Sequence, residues 1–327
     1  MKTKILFFPA GDKTVGGTRI HVHERVDYLR KQGINADILI KKDKIGKFGN
    51  KDRYFYFPLI FWKYDVIFFQ KKLTYIDYLL MKFSKFFGKK VIFHIDDYFP
   101  EAKDRIIRAM KEADMVIVVS RFLEKLAYEY NDNVCLMPTF ANVNRFKIKE
   151  HKESNPIVIG WLGHALFENL KIVLEPIENL CKKYDIKFKV IGDLDAIDVI
   201  NSRFKTDFTG FIDPSKVPEE LLEFDIGVMP CQDNELQRGA VPGKLLEYMA
   251  TGLPTVSSPV GEILYIIEDG KNGFLANNKE EWENKLEKLI RDVKLRKKMG
   301  SKARKTIVDN YSIKVNNPLI EMLRLWK

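Results

Sequence analysis

Lys244 and Glu247 stand three residues apart in the run Arg238-Gly-Ala-Val-Pro-Gly-Lys-Leu-Leu-Glu-Tyr-Met-Ala-Thr-Gly252. That spacing puts a cation and a carboxylate side by side on one helix face. Val241, Leu245 and Met249 form a separate apolar stripe at spacing four, which would pack the helix on a sheet. Gly252 stops the helix and Pro254 keeps it from resuming. The N–H groups at the helix start, together with Lys244, suit a diphosphate. Glu247 lies roughly 4.5 Å further along the axis, at about 1.5 Å per residue, where it can accept two hydrogen bonds from a ribose diol. One helix thus carries the contacts a nucleotide diphosphate needs. The plainer alternative is a surface ion pair worth roughly a few tenths of a kcal/mol.

Four other places could do chemistry. Gly11-Asp-Lys-Thr-Val-Gly-Gly17 follows a first strand and Arg19 opens the next helix. Gly16 and Gly17 let backbone approach a ligand, although the run is not the dinucleotide fingerprint; a plain strand–helix turn also fits. His94-Ile-Asp-Asp97 ends an apolar strand. There His94 would face a cleft, whereas Asp96 and Asp97 resemble a metal-binding pair with no third ligand. Gly160-Trp-Leu-Gly-His164 ends another strand, so Gly163 and His164 could meet a phosphate; a tight structural turn is the alternative. Asp225-Ile-Gly-Val-Met-Pro230 reads as core strand, with Gly227 open to a nucleotide.

These residues need elements to hold them. Short apolar runs such as Ile5–Phe8, Val66–Gln70, Val91–Ile95, Ile157–Leu162 and Ile226–Met229 alternate with helical patterns throughout. That alternation predicts parallel sheets covered on both faces. The sequence also places a strand at Tyr54–Phe57. A polar seam at Asn142–Asn155, closed by Pro156, divides the 327 residues into two domains of ordinary size. The expected architecture is α/β, with two doubly wound Rossmann-like domains, 1–150 and 151–311, facing a cleft. In such folds ligands sit at the carboxyl ends of the strands. A final helix within 312–327 would cross back to the first domain.

Composition narrows the partners. Residues 1–90 hold 20 Lys/Arg against 8 Asp/Glu, whereas the whole chain nets +10, so the remainder is slightly acidic. The basic part is interleaved with aromatics, as in Lys47-Phe-Gly-Asn-Lys51, Phe61-Trp-Lys-Tyr64 and Met81-Lys-Phe-Ser-Lys-Phe-Phe-Gly-Lys-Lys90. Basic plus aromatic fits an anionic membrane surface or an anionic acceptor; a solvated lysine-rich face is the plainer alternative. No nucleic-acid motif accompanies the charge. Three scattered cysteines, Cys135, Cys181 and Cys231, fit neither a disulfide framework nor a zinc site, and point to a reducing, cytoplasmic setting. No apolar run reaches the ~20 residues that span a bilayer.

The motifs together resemble a known family. The run from Arg238 to Gly261 resembles the donor-binding segment of GT-B glycosyltransferases of family four (glycosyl transferases group 1). Asp269-Gly-Lys-Asn-Gly-Phe-Leu275 is similar to the turn and strand that follow it there. Ala113-Asp-Met-Val-Ile-Val-Val-Ser120, Met137-Pro138 and Asn144-Arg-Phe146 resemble the end of that family's first domain. Gly16-Gly17 fits its acceptor-side loop, and Tyr311-Ser312 its C-terminal crossover. The resemblance implies transfer of a sugar from a nucleotide-diphosphate sugar, with retention at the anomeric carbon, no metal and no other cofactor. It implies donor binding by the C-terminal domain through Gly163, His164, Arg238, Lys244, Leu245 and Glu247. Acceptor binding falls to the N-terminal domain through Gly16, Gly17 and Arg19. His94 corresponds to a histidine that contacts the donor sugar, and Lys244 to the cation that neutralises the leaving diphosphate; these two are the expected catalytic residues.

Three departures qualify the match. Gly239 stands where the family often has a second Glu, His164 where it has Arg, and Asn144 where it has Asp. The first removes a carboxylate near the donor sugar. The second weakens the phosphate clamp unless Arg238 or Lys171 substitutes. The expected activity is transfer to a glycan or lipid-linked acceptor in cell-surface polysaccharide synthesis, at the inner face of the membrane. The alternatives are a catalytically silent nucleotide-sugar-binding partner protein and a GT-B sugar-nucleotide epimerase.

Overall fold

The computed structural model describes residues 3–11, 13, 15–39, 52–71, 74–164, 167–193, 197–315 and 318–326. The basic run 41–51, parts of the loop 11–17 and the His164 side chain lie outside the described residues.

The chain divides into two compact units. The first comprises Met1–Thr139, Arg238–Val241 and Asn316–Lys327; the second comprises Phe140–Gln237 and Pro242–Val315. Each is built on one six-stranded parallel sheet. In the first, β1 (Lys4–Phe8), β2 (Asn35–Ile38), β3 (Val66–Gln70), β4 (Lys90–Ile95), β5 (Met115–Val118) and β6 (Val134–Leu136) lie in the order β2-β1-β3-β4-β5-β6. The chain turns back past β1 after β2, so the switch point falls between β1 and β3. In the second, β7 (Ile157–His164), β8 (Ile186–Asp193), β9 (Thr206–Gly210), β10 (Ile226–Met229), β11 (Thr255–Ser257) and β12 (Phe274–Leu275) lie in the order β12-β11-β10-β7-β8-β9. Its switch point falls between β7 and β10.

The strands form where apolar runs can be buried on both faces. All of β3 and nearly all of β1 and β4 are inaccessible. One face of the first sheet packs Leu6, Ile67, Phe69 and Phe93 against Phe57, Met81 and Leu123 from helices. The other face packs Phe7, Phe68 and Ile92 against Val22, Val26 and Leu29. The C-terminal helix Leu319–Leu325 joins this second layer through Leu319 and Leu323, so the chain's end returns to the first unit. The second unit is centred on Ile159, Phe188, Val228 and the fully buried Trp282.

Three findings depart from the sequence expectations. Residues expected as a strand at Tyr54–Phe57 lie in the helix Asp52–Ile60. The alternating aromatics favour a strand by propensity, but Phe57 and Phe61, four apart, fill the core as one helical face. The seam expected at 142–155 lies earlier, because residues 140–149 are tied to the second unit. Ala141 N–H donates to Tyr311 O at 2.9 Å, Lys149 N–H to Thr251 O at 2.8 Å, and Arg145 to Pro214 O at 2.7 Å. Finally, Val241 does not extend the stripe of Leu245 and Met249. Pro242 is the N-cap of helix Gly243–Thr251, and Val241 packs into the first unit's core.

Candidate functional site

In the second unit the residues of interest gather at the carboxyl ends of β7 and β10. Helix Gly243–Thr251 buries Leu245, Leu246, Tyr248 and Met249 and keeps Lys244 and Glu247 half-buried. Gly252 closes it at φ 77°, the left-handed cap that glycine adopts at little cost. Tyr248 fastens this helix to β7: Leu162 N–H donates to its hydroxyl at 2.6 Å. The bond satisfies an otherwise orphan backbone donor one residue before Gly163. Burial pushes the Tyr248 phenol well up, so it remains a neutral hydroxyl. Its ring lies over Gly227, where an added Cβ would meet Tyr248 Cδ2 at 2.9 Å. The gap that the sequence assigned to a nucleotide is therefore filled by Tyr248.

Gly163 is required by its surroundings. A Cβ there would overlap the Trp161 ring at 1.9 Å, and its register partner Gly192 faces the Gly163 carbonyl just as closely. The end of β7 is thus packed closely on the Trp161 ring and on Gly192. Below it, Cys231 N–H donates to Ser258 Oγ at 3.0 Å and Gln232 N–H to Asn169 Oδ1 at 2.8 Å. These two bonds fix the turn after β10. The Cys231 thiol is pushed up to about 12 by burial, opposed by the charge of Lys244, which places that cation beside the turn. Asn169, Tyr248 and Ser258 were not singled out from sequence. Asn169 and Ser258 carry no motif, and Tyr248 reads as one more apolar-face residue.

Arg238 and Gly239 do not belong to this group. Both lie in the short helix Glu235–Gly239 at the point where the chain joins the first unit. A Cβ on Gly239 would meet Tyr98 Cβ at 2.4 Å, and the Gly239 carbonyl accepts from Ser120 Oγ at 3.3 Å. A Glu cannot occupy this backbone position as it stands, so the missing carboxylate has a packing cause.

The first unit builds a second constellation at the ends of β1, β3 and β4, next to its switch point. A turn of π-helix, Arg19–Glu24, follows Gly16–Thr18; such wide turns frequently mark functional positions. Thr18 Oγ1 donates to Gln70 Oε1 at 3.1 Å, and Gln70 Nε2 donates to Asp96 Oδ2 at 2.8 Å. Lys71 Nζ lies 3.4 Å from Asp96 Oδ1 and is hydrogen-bonded to Asp97. Both carboxylates that suggested a metal pair are therefore engaged by one lysine. Gly16 opens on empty space, whereas a Cβ on Gly17 would meet Asp96 Oδ2 at 2.5 Å. Arg19 reaches Glu24 at 3.8 Å.

His94 is fully buried between the rings of His21, at 4.8 Å, and Phe68, at 5.3 Å. Neither of its ring nitrogens has a hydrogen-bond partner among the described residues. His21 shares a hydrogen bond with Thr139 Oγ1 at 3.0 Å. Burial lowers the pKa of both imidazoles well below the usual value; for His94 the nearby Arg25 and Lys71 add to it. For Lys71 burial acts downward but is outweighed by Asp96 and Asp97, so its pKa is raised and it stays charged. Burial pushes Asp96 up to about 6 against the pull of Lys71. Of two carboxylates sharing one cation, the inaccessible one resists ionisation.

Two doubly wound units, each with its constellation at a switch point, define the class of fold: the chain has the GT-B architecture. Anabaena HepE, solved with UDP and glucose, has the same fold with a TM-score of 0.76 at 16% identity, over 98% of this chain and 99% of that one. More particularly, residues 156–292 match the family described as Glycosyl transferases group 1. Glycosyltransferase MJ1069 of Methanocaldococcus jannaschii is similar at 24% identity over 96% of each chain. The Staphylococcus aureus capsular polysaccharide biosynthesis glycosyltransferase CapM is 24% identical over 53% of this chain and 47% of its own.

Proposed function

We propose that the chain is a retaining, metal-independent glycosyltransferase that moves a hexosyl group from a nucleotide-diphosphate sugar to a glycan or lipid-linked acceptor. One observation carries the reading. Lys244 and Glu247 sit on a helix that Tyr248 fastens to the end of β7, at the switch point of the second sheet. Lys244 neutralises the departing diphosphate, the main catalytic term, with help from the N–H groups at the helix start. Glu247 accepts from the ribose diol, and Leu245 is the buried residue that seats both. Gly163 and His164 offer backbone to a phosphate. In the first unit, Gly16, Gly17 and Arg19 line the acceptor side, and His94 is the neutral group offered to the sugar under transfer. HepE holds UDP and glucose, and CapM is named for capsular polysaccharide synthesis. These support a sugar nucleotide as donor and surface polysaccharide as the setting. The surplus of 20 Lys/Arg over 8 Asp/Glu in residues 1–90 supports a cytoplasmic protein that works at an anionic membrane face.

Titration of UDP-, GDP- and dTDP-sugars into the wild type, Lys244→Ala and Glu247→Ala tests the donor site. Each variant removes hydrogen bonding to a charged group, worth about 1.5–3 kcal/mol. Affinity should therefore fall about ten- to hundredfold; unchanged affinity in both would sink the assignment. The packing of Gly239 on Tyr98 favours one second reading, a silent nucleotide-sugar binder. Tight donor binding with neither hydrolysis nor transfer to any glycan or lipid acceptor would establish it.

A further inference from the structure

The helix Asp52–Ile60 with its extension Phe61–Lys63, and the helix Tyr75–Phe86, lie side by side in the first unit. At their starts Tyr54 Oη is 3.3 Å from Thr74 Oγ1; at their ends the rings of Trp62 and Phe87 are 4.6 Å apart. Each helix already has a buried face, Phe57 and Phe61 on one, Leu80, Met81 and Ser84 on the other. Their outer faces are apolar as well. Phe55, Tyr56, Leu59 and Trp62 recur at helical spacing on the first, and Tyr75, Ile76, Leu79 and Phe86 on the second. All are exposed, Phe86 at 84%, Phe55 at 72% and Trp62 at 54%. A surface helix ordinarily carries polar residues there, and a continuous apolar patch marks a docking surface.

Charge selects the occupant. Lys63, Lys82 and Lys90 are exposed on or beside these helices, and Lys89 bonds the Trp62 carbonyl at 3.2 Å. The acids nearby are engaged. Asp77 is buried in the capping box of Thr74, and Asp65 accepts from Lys4 N–H at 2.8 Å. Glu112 and Asp114 stand 3.9 Å from Lys85, and Asp114 also faces Lys90. A second copy of this face would set lysine against lysine. Tryptophan and tyrosine at headgroup depth, phenylalanine below them and lysines reaching back to phosphates match a bilayer interface. We infer that this face seats the chain on a membrane containing anionic phospholipid, with Trp62 and Phe86 inserted. The inference rests on the membrane reading above and adds the residues that make the contact.

Flotation of the full chain with vesicles of phosphatidylcholine alone, and of phosphatidylcholine and phosphatidylglycerol in equal parts, tests it. Binding should appear with the anionic set and fall with salt. Lys63→Gln with Lys82→Gln should weaken it about 25-fold, at about 1 kcal/mol per lysine. Trp62→Ser with Phe86→Ser should abolish it, with the far-ultraviolet dichroism unchanged because neither side chain is buried. Brominated lipid should quench wild-type fluorescence in a fraction that the conservative variant Trp62→Phe loses. Undiminished anionic binding by both double variants overturns the inference and leaves the membrane reading standing on other basic residues. No wild-type binding to anionic vesicles overturns both. A concentration-dependent dimer abolished by Phe86→Ser also overturns it, in favour of a second copy as occupant.

Discussion

Replacing Asp96 with Asn should change how the first unit's stability depends on pH. Asp96 is the inaccessible member of the Lys71–Asp96–Asp97 group, and burial lifts its carboxyl to about 6. An unfolded aspartate ionises near 3.9. Between those values the folded chain keeps a proton that the unfolded chain has released, so stability falls as pH rises through the window. The loss is about 1.4 kcal/mol per pH unit, roughly 3 kcal/mol in all, complete above about pH 7 and absent below about pH 4. Asn keeps an oxygen to accept the 2.8 Å bond from Gln70 Nε2, and Lys71 keeps Asp97, so the variant lacks only the titration. Amide hydrogen exchange on β3 and β4 reads the opening free energy of this unit alone. Subtracting wild type from Asp96→Asn cancels the titrating groups that do not interact with Asp96. That difference should grow in favour of the variant by roughly 3 kcal/mol across the window. A difference constant with pH would refute the argument, because it would mean that Asp96 ionises in the fold as it does unfolded.

The other predictions concern packing in the second unit beside Lys244 and at the join. Tyr248→Phe should leave the buried Leu162 N–H without its 2.6 Å partner. The cost is about 1–3 kcal/mol, measured as a lower thermal midpoint, together with weaker sugar-nucleotide binding as the helix carrying Lys244 and Glu247 loosens. Gly239→Glu should not restore the carboxylate of related enzymes. Its Cβ would stand 2.4 Å from Tyr98 Cβ, so denaturant titration should show a loss of about 1–3 kcal/mol; tighter donor binding at full stability would contradict this.

The parallel sheets were legible because their strands are apolar on both faces, and the helix around Lys244 because cation, carboxylate and glycine stop all sit within nine residues. What the sequence concealed were interactions whose partners are far away in the chain. Tyr248 looks like core until its hydroxyl is seen to serve Leu162, 86 residues earlier. Asp96 and Asp97 look like a metal pair until Lys71 is found between them. The aromatic run at 54–57 looks like a strand because local propensity cannot show which face a neighbouring layer will cover. The join at 140–149 was hidden for the same reason, since its backbone bonds reach Thr251 and Tyr311 and its Arg145 side chain reaches Pro214.

The segment from Arg238 to Gly252 reads as one continuous motif, yet it divides at Pro242. Before it, Gly239 and Val241 serve the packing of the first unit around Tyr98. After it, every buried side chain of the helix serves the second. The first part needs closeness of backbone, which a glycine supplies and a side chain at 239 forbids. The second part fixes the helix of Lys244 and Glu247 through the Tyr248 bond to Leu162 and the left-handed cap at Gly252. The two parts pack separately, so a glycine at 239 in place of the expected carboxylate does not disturb the helix that carries Lys244 and Glu247. A pure binding protein would need only the diphosphate and ribose contacts. What speaks for turnover is that the first unit also keeps, at its own switch point, a neutral histidine with both ring nitrogens unspent. Burying such a group without a partner costs stability, about 1–3 kcal/mol for each unpaired polar atom, and that cost is sustained most readily where the group has a reaction to serve.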